Sequence, residues 1–397
     1  MHVSQRAQGI APSATLAISA KAAALKAQGI DVVNFGVGEP DFDTPAHIKR
    51  AAVAALDAGF TKYPLPVSGI TELREAIVRK LARENGLTYS PDEISVAIGG
   101  KNALYALMQA VVDPDDEVVI PAPYWVSYVE MARLAGGKPV VIDAAEDRDF
   151  KLAPEELDAA ITDKTALVVL NSPSNPTGTV YTPAELEALA AVIVRRDVCV
   201  ATDEIYEHLL YDGAEHRSIA SFGPEIRKRT VICNGHSKTY AMTGWRIGYL
   251  AGPAAIIGAV NKLQSHSTSG PTSFVQKAAA VALNDDQRCV AEMRTEFDRR
   301  RKYIVERLRA LPGITCRTPK GAFYAFPNIS GWIGREIAGK RIRGSTDFAE
   351  ACLNEARVAV VAGVEFGSDR HIRLSYATSM ERIVEGMNRL EQMLARS

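Results

Sequence analysis

The chain predicts an α/β fold: a mainly parallel β-sheet covered by helices in a large unit, joined to a smaller α+β unit. Three features carry this expectation. From residue 94 onward, short apolar runs alternate with helical segments. Those runs are apolar throughout, as strands buried on both faces must be. The alternation breaks down in the C-terminal third, where a long polar-striped helical pattern at 285–311 precedes isolated strand-like runs. At about 150 residues per domain, 397 residues leave room for two or three such units.

The elements follow in order. Residues 13–28 carry apolar side chains at helical spacing and stop at Gly29, a C-cap signal. Residues 32–35 read as a short strand. Thr44-Pro45 starts a second helix, with Thr44 as N-cap and Pro45 in the first position, ending at Gly59. Strands are then expected at 94–98, 118–120, 140–143, 166–170, 198–202 and 230–233, with helices at 102–112, 126–134, 154–161 and 183–195. After the long helix come strand-like 322–326, a helix from Thr346, strand-like 371–375 and a last helix from Met380. The expected division is 1–44 as an N-terminal arm and part of the small unit, 45–299 as the large unit, and 300–397 as the rest of the small unit.

Composition excludes several classes of function. Lys plus Arg is 46 and Asp plus Glu is 47, a net charge of −1, which leaves no electrostatic footprint for nucleic acid or an acidic membrane. The 5 cysteines lie far apart with no CxxC pair, so free thiols in a reducing cytoplasm are expected. The 7 histidines form no HExxH or Cys/His cluster, which argues against a protein-built zinc site. No run of 18 apolar residues is present, and residues 1–6 lack the apolar stretch of a signal peptide. Gly36-Val-Gly38-Glu-Pro-Asp41 fails as a dinucleotide fingerprint, because Asp41 replaces the third glycine and Pro40 sits where a helix should open. Gly100-Lys101 lacks the Ser or Thr of a P-loop, and no GxSxG elbow occurs.

In parallel sheets ligands gather outside the carboxyl ends of the strands. Gly99-Gly100-Lys101 follows one strand and opens a helix, an arrangement suited to an anion. Asn171-Ser-Pro-Ser-Asn175-Pro176-Thr-Gly178 follows another, and Asn175 projects an amide from it. Asp203-Glu-Ile-Tyr206 puts a carboxylate at the end of an apolar strand, where it needs a cationic or donor partner. Ser237-Lys238-Thr supplies a lysine that becomes a nucleophile if its pKa is lowered. Seven residues after Thr239 lies Arg246, suited to phosphate. A lysine, a carboxylate, hydrogen-bond donors and a phosphate cradle are together what pyridoxal phosphate needs.

At this point a resemblance is plain. Ser237-Lys238-Thr-Tyr-Ala-Met-Thr-Gly244-Trp-Arg246-Ile-Gly248 is very similar to the cofactor-lysine signature of the class I aminotransferases of the aspartate aminotransferase family, pyridoxal-phosphate fold type I. Residues 171–178, 203–206, Pro123-Tyr-Trp125 and 36–45 match in the same order and spacing, from about residue 13 to the C-terminus. Tyr124-Trp125-Val-Ser-Tyr and Gly99-Gly-Lys101 resemble the bacterial subgroup that includes prephenate aminotransferases.

The resemblance implies roles. Lys238 would carry the cofactor and move a proton between the substrate Cα and the cofactor. Asp203 would pair with the pyridine nitrogen, and Tyr206 and Asn175 would bond the phenolic oxygen. Trp125 would stack on the ring. The backbone at Gly100 and Lys101, with Ser237 and Arg246, would hold the phosphate, joined by Tyr63 of a partner subunit in a homodimer with shared sites. Arg373 would clamp the substrate α-carboxylate, near Gly38, Trp125 and Asn175, and the small unit would close on substrate. The implied reaction is ping-pong exchange between aspartate and 2-oxoglutarate; aminotransfer on prephenate or aromatic amino acids, and β-lyase chemistry, stay open. Lys101 is the candidate for the distal carboxylate. Prephenate-accepting members often carry a lysine before the Pro-Ser-Ala-Thr-like segment, where this chain has Ala11, and residues 264–270 contain no arginine.

Overall fold

The computed structural model describes residues 2–12 and 14–397. Met1 and Ser13 lie outside the described residues, so the expected helix start at Ser13 does too; the helix itself is Ala14–Ala27. No described helix is long and apolar enough to cross a membrane.

β1 (Val33–Asn34) stands apart from the main sheet. The main sheet contains β2 (Ile94–Ala97), β3 (Glu117–Ala122), β4 (Lys138–Asp143), β5 (Thr165–Asn171), β6 (Cys199–Asp203), β7 (Thr230–Gly235) and β8 (Gly248–Ala251). Their spatial order is β2-β8-β7-β6-β5-β3-β4. All neighbours pair in parallel except β8, which is antiparallel to both β7 and β2. Val168, Val200, Val231 and Ile232 are buried, as the unbroken apolar runs require, and helices cover both faces.

Register sets the level at which the chain leaves the sheet. Asn171 pairs with Asp203, and Asp203 with Cys233, so the three central strands end side by side. The turn between β7 and β8 then carries Ser237, Lys238 and Arg246 over that edge. Gly235 and Gly248 face each other there: a Cβ on Gly248 would lie 2.7 Å from the Gly100 amide nitrogen. The strand edge and the helix Gly100–Val111 meet closely because these positions have no side chain.

The C-terminal strands are β9 (Tyr324–Ala325), the hairpin β10 (Glu336–Ile337) and β11 (Lys340–Arg341), β12 (Val358–Ala359), β13 (Val361–Ala362) and β14 (Ile372–Ser375). β13, β14 and β9 form an antiparallel sheet, and β1 pairs in parallel with β12. Met293, Phe297, Ile304 and Leu308 of the helix Arg288–Ala310 share one core with Phe323, Phe348, Leu374 and Leu390.

One local expectation changes. Thr44 does not cap the helix Ala46–Asp57; Pro45 occupies the cap position. The Thr44 hydroxyl instead donates to Ala241 O at 2.6 Å and accepts from Trp245 Nε1 at 2.9 Å. A tertiary contact to the lysine-bearing turn has displaced a local cap. No expectation covers β8, where four residues without a distinguishing pattern form an inserted antiparallel strand.

Behind the loop that follows β6, buried Lys80 is hydrogen-bonded to buried Glu207. Asn85 and Asn234 also donate to Glu207, and His216 Nε2 lies 3.1 Å from Glu204 Oε2. Burial alone would raise the Glu207 carboxyl; Lys80, His208 and His216 outweigh it and hold the group well below the usual range. Removing one partner of a buried pair leaves an uncompensated charge, at a cost of about 3–5 kcal/mol. Lys80→Met is therefore expected to lower the denaturation midpoint strongly, and Lys80→Met/Glu207→Leu to recover most of the loss. A single variant as stable as wild type would show that the pair does not hold this loop.

Candidate active site

A cavity of about 240 Å³ opens at the carboxyl edge of the central strands. Gly38, Gly100, Lys101, Trp125, Asn175, Asp203, Tyr206, Ser237, Lys238, Arg246 and Arg373 all line it. Tyr63, alone among the twelve residues singled out from the sequence, does not; it is 83% exposed.

β6 ends at Asp203, which is buried with no cationic partner within hydrogen-bonding distance among the described residues. Its Oδ2 accepts from the Tyr128 hydroxyl at 2.7 Å and its Oδ1 from the Ile205 amide at 3.3 Å. Burial raises the carboxyl to about 6, against the lowering effect of these donors. Lys238, on the turn after β7, donates to Gly38 O at 2.5 Å. Burial pushes its ammonium down to about 8; Glu39 opposes this, and Arg373 and Arg246 add to it. Both groups are thus moved toward neutrality, the range in which side chains exchange protons readily at physiological pH.

The helix Gly100–Val111 points its first turn into the cavity, where amides have no partner within the helix. Gly99 takes φ +94°, and a Cβ there would lie 2.5 Å from Arg246 Nη2, so only glycine lets the guanidinium close over the turn. Arg246 itself sits at φ +55° and donates through Nη1 to Thr243 O at 2.8 Å. Lys101 Nζ lies 5.0 Å from the centre of the Trp125 ring. Burial lowers the Lys101 ammonium, and Arg246 adds to this. Two cations without an acidic partner among the described residues mark this end of the cavity as an anion site.

Arg373, on β14, is 2% exposed. Nη1 donates to Asn175 Oδ1 at 3.0 Å and Nη2 to Gly36 O at 2.8 Å, while Nε has no partner. The guanidinium carbon lies 4.5 Å from the centre of the Tyr324 ring and 5.0 Å from that of the Phe366 ring. Burial lowers its pKa, and no carboxylate among the described residues is paired with it. Asn175 is fixed in turn: its amide donates to Asn171 Oδ1 at 2.8 Å, and Asn171 Nδ2 donates to Asp203 O at 2.8 Å. Across the whole cavity four cations, Lys101, Lys238, Arg246 and Arg373, face one carboxylate, Asp203, so an anionic occupant is favoured.

Sequence reasoning passed over Tyr128, Asn171, Ile205, Thr243 and Tyr324, which also line the cavity. Tyr128 carried a signal: it stands three residues after Trp125, one helical turn on, and the two rings meet edge to face at 5.3 Å. Asn171 is the last residue of its strand, level with Asp203. Tyr324 lies on a two-residue strand with no periodicity to announce it.

Residues 30–390 match the family model described as aminotransferase class I and II. A curated relative, the aspartate aminotransferase of Geobacillus stearothermophilus, is 49% identical over 99% of each chain. The aspartate/prephenate aminotransferase of Nitrosomonas europaea is 48% identical over 100% of each. Among solved structures, the Thermus thermophilus aspartate aminotransferase with maleate superposes with a TM-score of 0.94 at 45% identity, covering 99% of this chain and 100% of the other.

The raised Asp203 pKa has a consequence for stability. A carboxyl that ionises near 3.8 unfolded and near 6 folded favours the native state below about pH 4 and loses that contribution as pH rises through 6. For the ligand-free protein, the stability of wild type relative to Asp203→Asn should fall by about 2 kcal/mol between pH 4 and pH 7. Denaturant titrations of both proteins at each pH measure this; a constant difference would mean that Asp203 is not desolvated.

Proposed function

Because the chain belongs to the class I and II aminotransferases, within the aspartate aminotransferase family and with its fold-type-I architecture, we propose that it exchanges an amino group between aspartate and 2-oxoglutarate with pyridoxal 5′-phosphate, as a cytoplasmic homodimer. One observation carries the reading. Arg373 is a buried guanidinium with no acidic partner among the described residues, in the same cavity as a lysine and an aspartate that burial has moved toward neutrality. Such a group is matched by a carboxylate that arrives and leaves.

The donor set fits the cofactor. Asp203 is a desolvated carboxylate in want of a cation, which the protonated pyridine nitrogen provides. The first-turn amides at Gly100 and Lys101, with Ser237 and Arg246, form a cradle for the phosphate. Asn175 gives Oδ1 to Arg373 and keeps Nδ2 free to donate, beside Tyr206, to the phenolic oxygen. Trp125 supplies an aromatic face. When bound, the cofactor supplies an aldehyde and a ring that accepts negative charge from the substrate Cα.

The chain's own groups do the rest. Arg373 orients the α-carboxylate, with Gly38, Trp125 and Asn175 around it. Lys238 Nζ, at about 8, takes and returns the proton at the substrate Cα, a general acid–base role worth roughly 10²–10⁴-fold. Lys101 receives the distal carboxylate, and maleate in the Thermus structure supports a dicarboxylic substrate. Tyr63, exposed and outside its own chain's cavity, is free to reach the phosphate of a partner subunit. The name of the Nitrosomonas relative favours prephenate as a second substrate; Ala11 removes the lysine expected for it.

With the cofactor bound, L-aspartate alone should convert the visible absorption to that of the amine form, and 2-oxoglutarate should restore it. Release of pyruvate and ammonia from an amino acid with a leaving group at Cβ, such as cysteine, without a keto acid would instead indicate β-lyase chemistry. Lys238→Ala should abolish the conversion; a variant as fast as wild type would remove the central assignment. Lys101→Ala should lose roughly 10–100-fold on dicarboxylic substrates, the worth of one hydrogen bond to a charged group, and little on monocarboxylic ones.

A further inference from the structure

We propose that Tyr324 is a positioning residue for the reaction: its ring seats the Arg373 guanidinium, and its hydroxyl donates to Tyr206 so that the Tyr206 hydroxyl turns outward to the cofactor. The inference rests on the reading above, in which Tyr206 donates to the phenolic oxygen.

Tyr324 is 1% exposed and is held by β9, paired with β14 so that Ser375 stands opposite it. Its hydroxyl lies 2.8 Å from the Tyr206 hydroxyl, and the two rings meet edge to face at 5.8 Å. The face of the same ring lies 4.5 Å from Arg373 Cζ. Room for the hydroxyl depends on Gly38, where a Cβ would approach it to 2.8 Å. One side chain thus touches the carboxylate clamp with its face and the cofactor-facing tyrosine with its edge.

Proton counting fixes the direction of the bond. Each hydroxyl has one hydrogen. Once the Tyr206 hydrogen is committed to the phenolic oxygen, the hydrogen between the two tyrosines can come only from Tyr324. A hydroxyl that accepts one bond donates a stronger one. The charged groups facing this pair are Arg373 from β14 and Asp203 from the end of β6.

The test uses the cofactor-loaded enzyme. Tyr324→Phe keeps the ring and removes the donor. The pH midpoint of the bound cofactor's visible band should move up by roughly 0.3–1 unit, because the negative phenolic oxygen is less well stabilised. Maleate binding should stay within about twofold of wild type. Tyr206→Phe should move the midpoint further in the same direction, and Tyr206→Phe/Tyr324→Phe should match Tyr206→Phe alone, since Tyr324 acts through Tyr206. Tyr324→Leu removes the ring and should weaken maleate binding by roughly 3–30-fold. If Tyr206→Phe shifts the midpoint and Tyr324→Phe does not, or if the two shifts add, this inference falls and the cofactor reading stands. If Tyr206→Phe leaves the midpoint in place, Tyr206 does not face the phenolic oxygen, and both fall together.

Discussion

Asp203, Lys238 and Arg373 are charged side chains withdrawn from water into one cavity and held there by neutral partners alone: hydroxyls, amides and carbonyl oxygens. Burying a charge without a counter-ion is among the most unfavourable things a fold can do. The sheet makes it possible. β5, β6 and β7 are buried on both faces, and their ends are locked in register, so Asp203 and Lys238, which follow those ends, cannot retreat to solvent, while Arg373 is held by β14 of the smaller sheet. In the proposed reading, the charges of Asp203 and Arg373 would each be completed by an oppositely charged ligand atom. Preorganisation of this kind is where most electrostatic catalysis resides, because no rearrangement is needed at the moment of reaction.

A second network, on the far side of the loop after β6, holds that loop in place. Lys80, Glu207, Asn234, His216 and Glu204 form a buried set in which every charge does have a partner. Asp203 and Tyr206 alternate along the loop with Glu204 and Glu207. The same few residues therefore send unpaired groups into the cavity and paired groups into the scaffold. Electrostatic satisfaction on one side anchors dissatisfaction on the other.

Much of this was legible in the sequence, for a physical reason. Asp203, Asn175 and Lys238 follow apolar strands, and in parallel sheets strand ends converge, so linear order carries spatial information. The information is lost where elements are short. β8 has four residues, and nothing in Gly248–Ala251 says that the chain returns antiparallel. Thr44-Pro45 has the local chemistry of a helix cap, yet the hydroxyl is drawn to Ala241 and Trp245 by contacts about 200 residues away. Arg373 was found through its motif; its partners Gly36 and Asn175 lie 337 and 198 residues away and only the folded chain assembles them.

The choice of neutral partners for Arg373 bears on turnover. A guanidinium already paired with an aspartate or glutamate would have to exchange one carboxylate for another, with little net gain and a strong competitor in place. Here Asn175 and Gly36 fix the fork, the Tyr324 and Phe366 rings lie 4.5 and 5.0 Å from Cζ, and Nε has no partner among the described residues. In the proposed role, an entering α-carboxylate would gain a full charge-assisted contact without displacing one. A leaving product would give up that contact but leave behind a site already in its resting geometry, because the neutral bonds would persist. A ping-pong enzyme must bind and release two different carboxylates at the same place in every cycle. An orienting arginine held by neutral bonds meets that requirement; one held by a salt bridge would bind more weakly or rearrange twice per cycle.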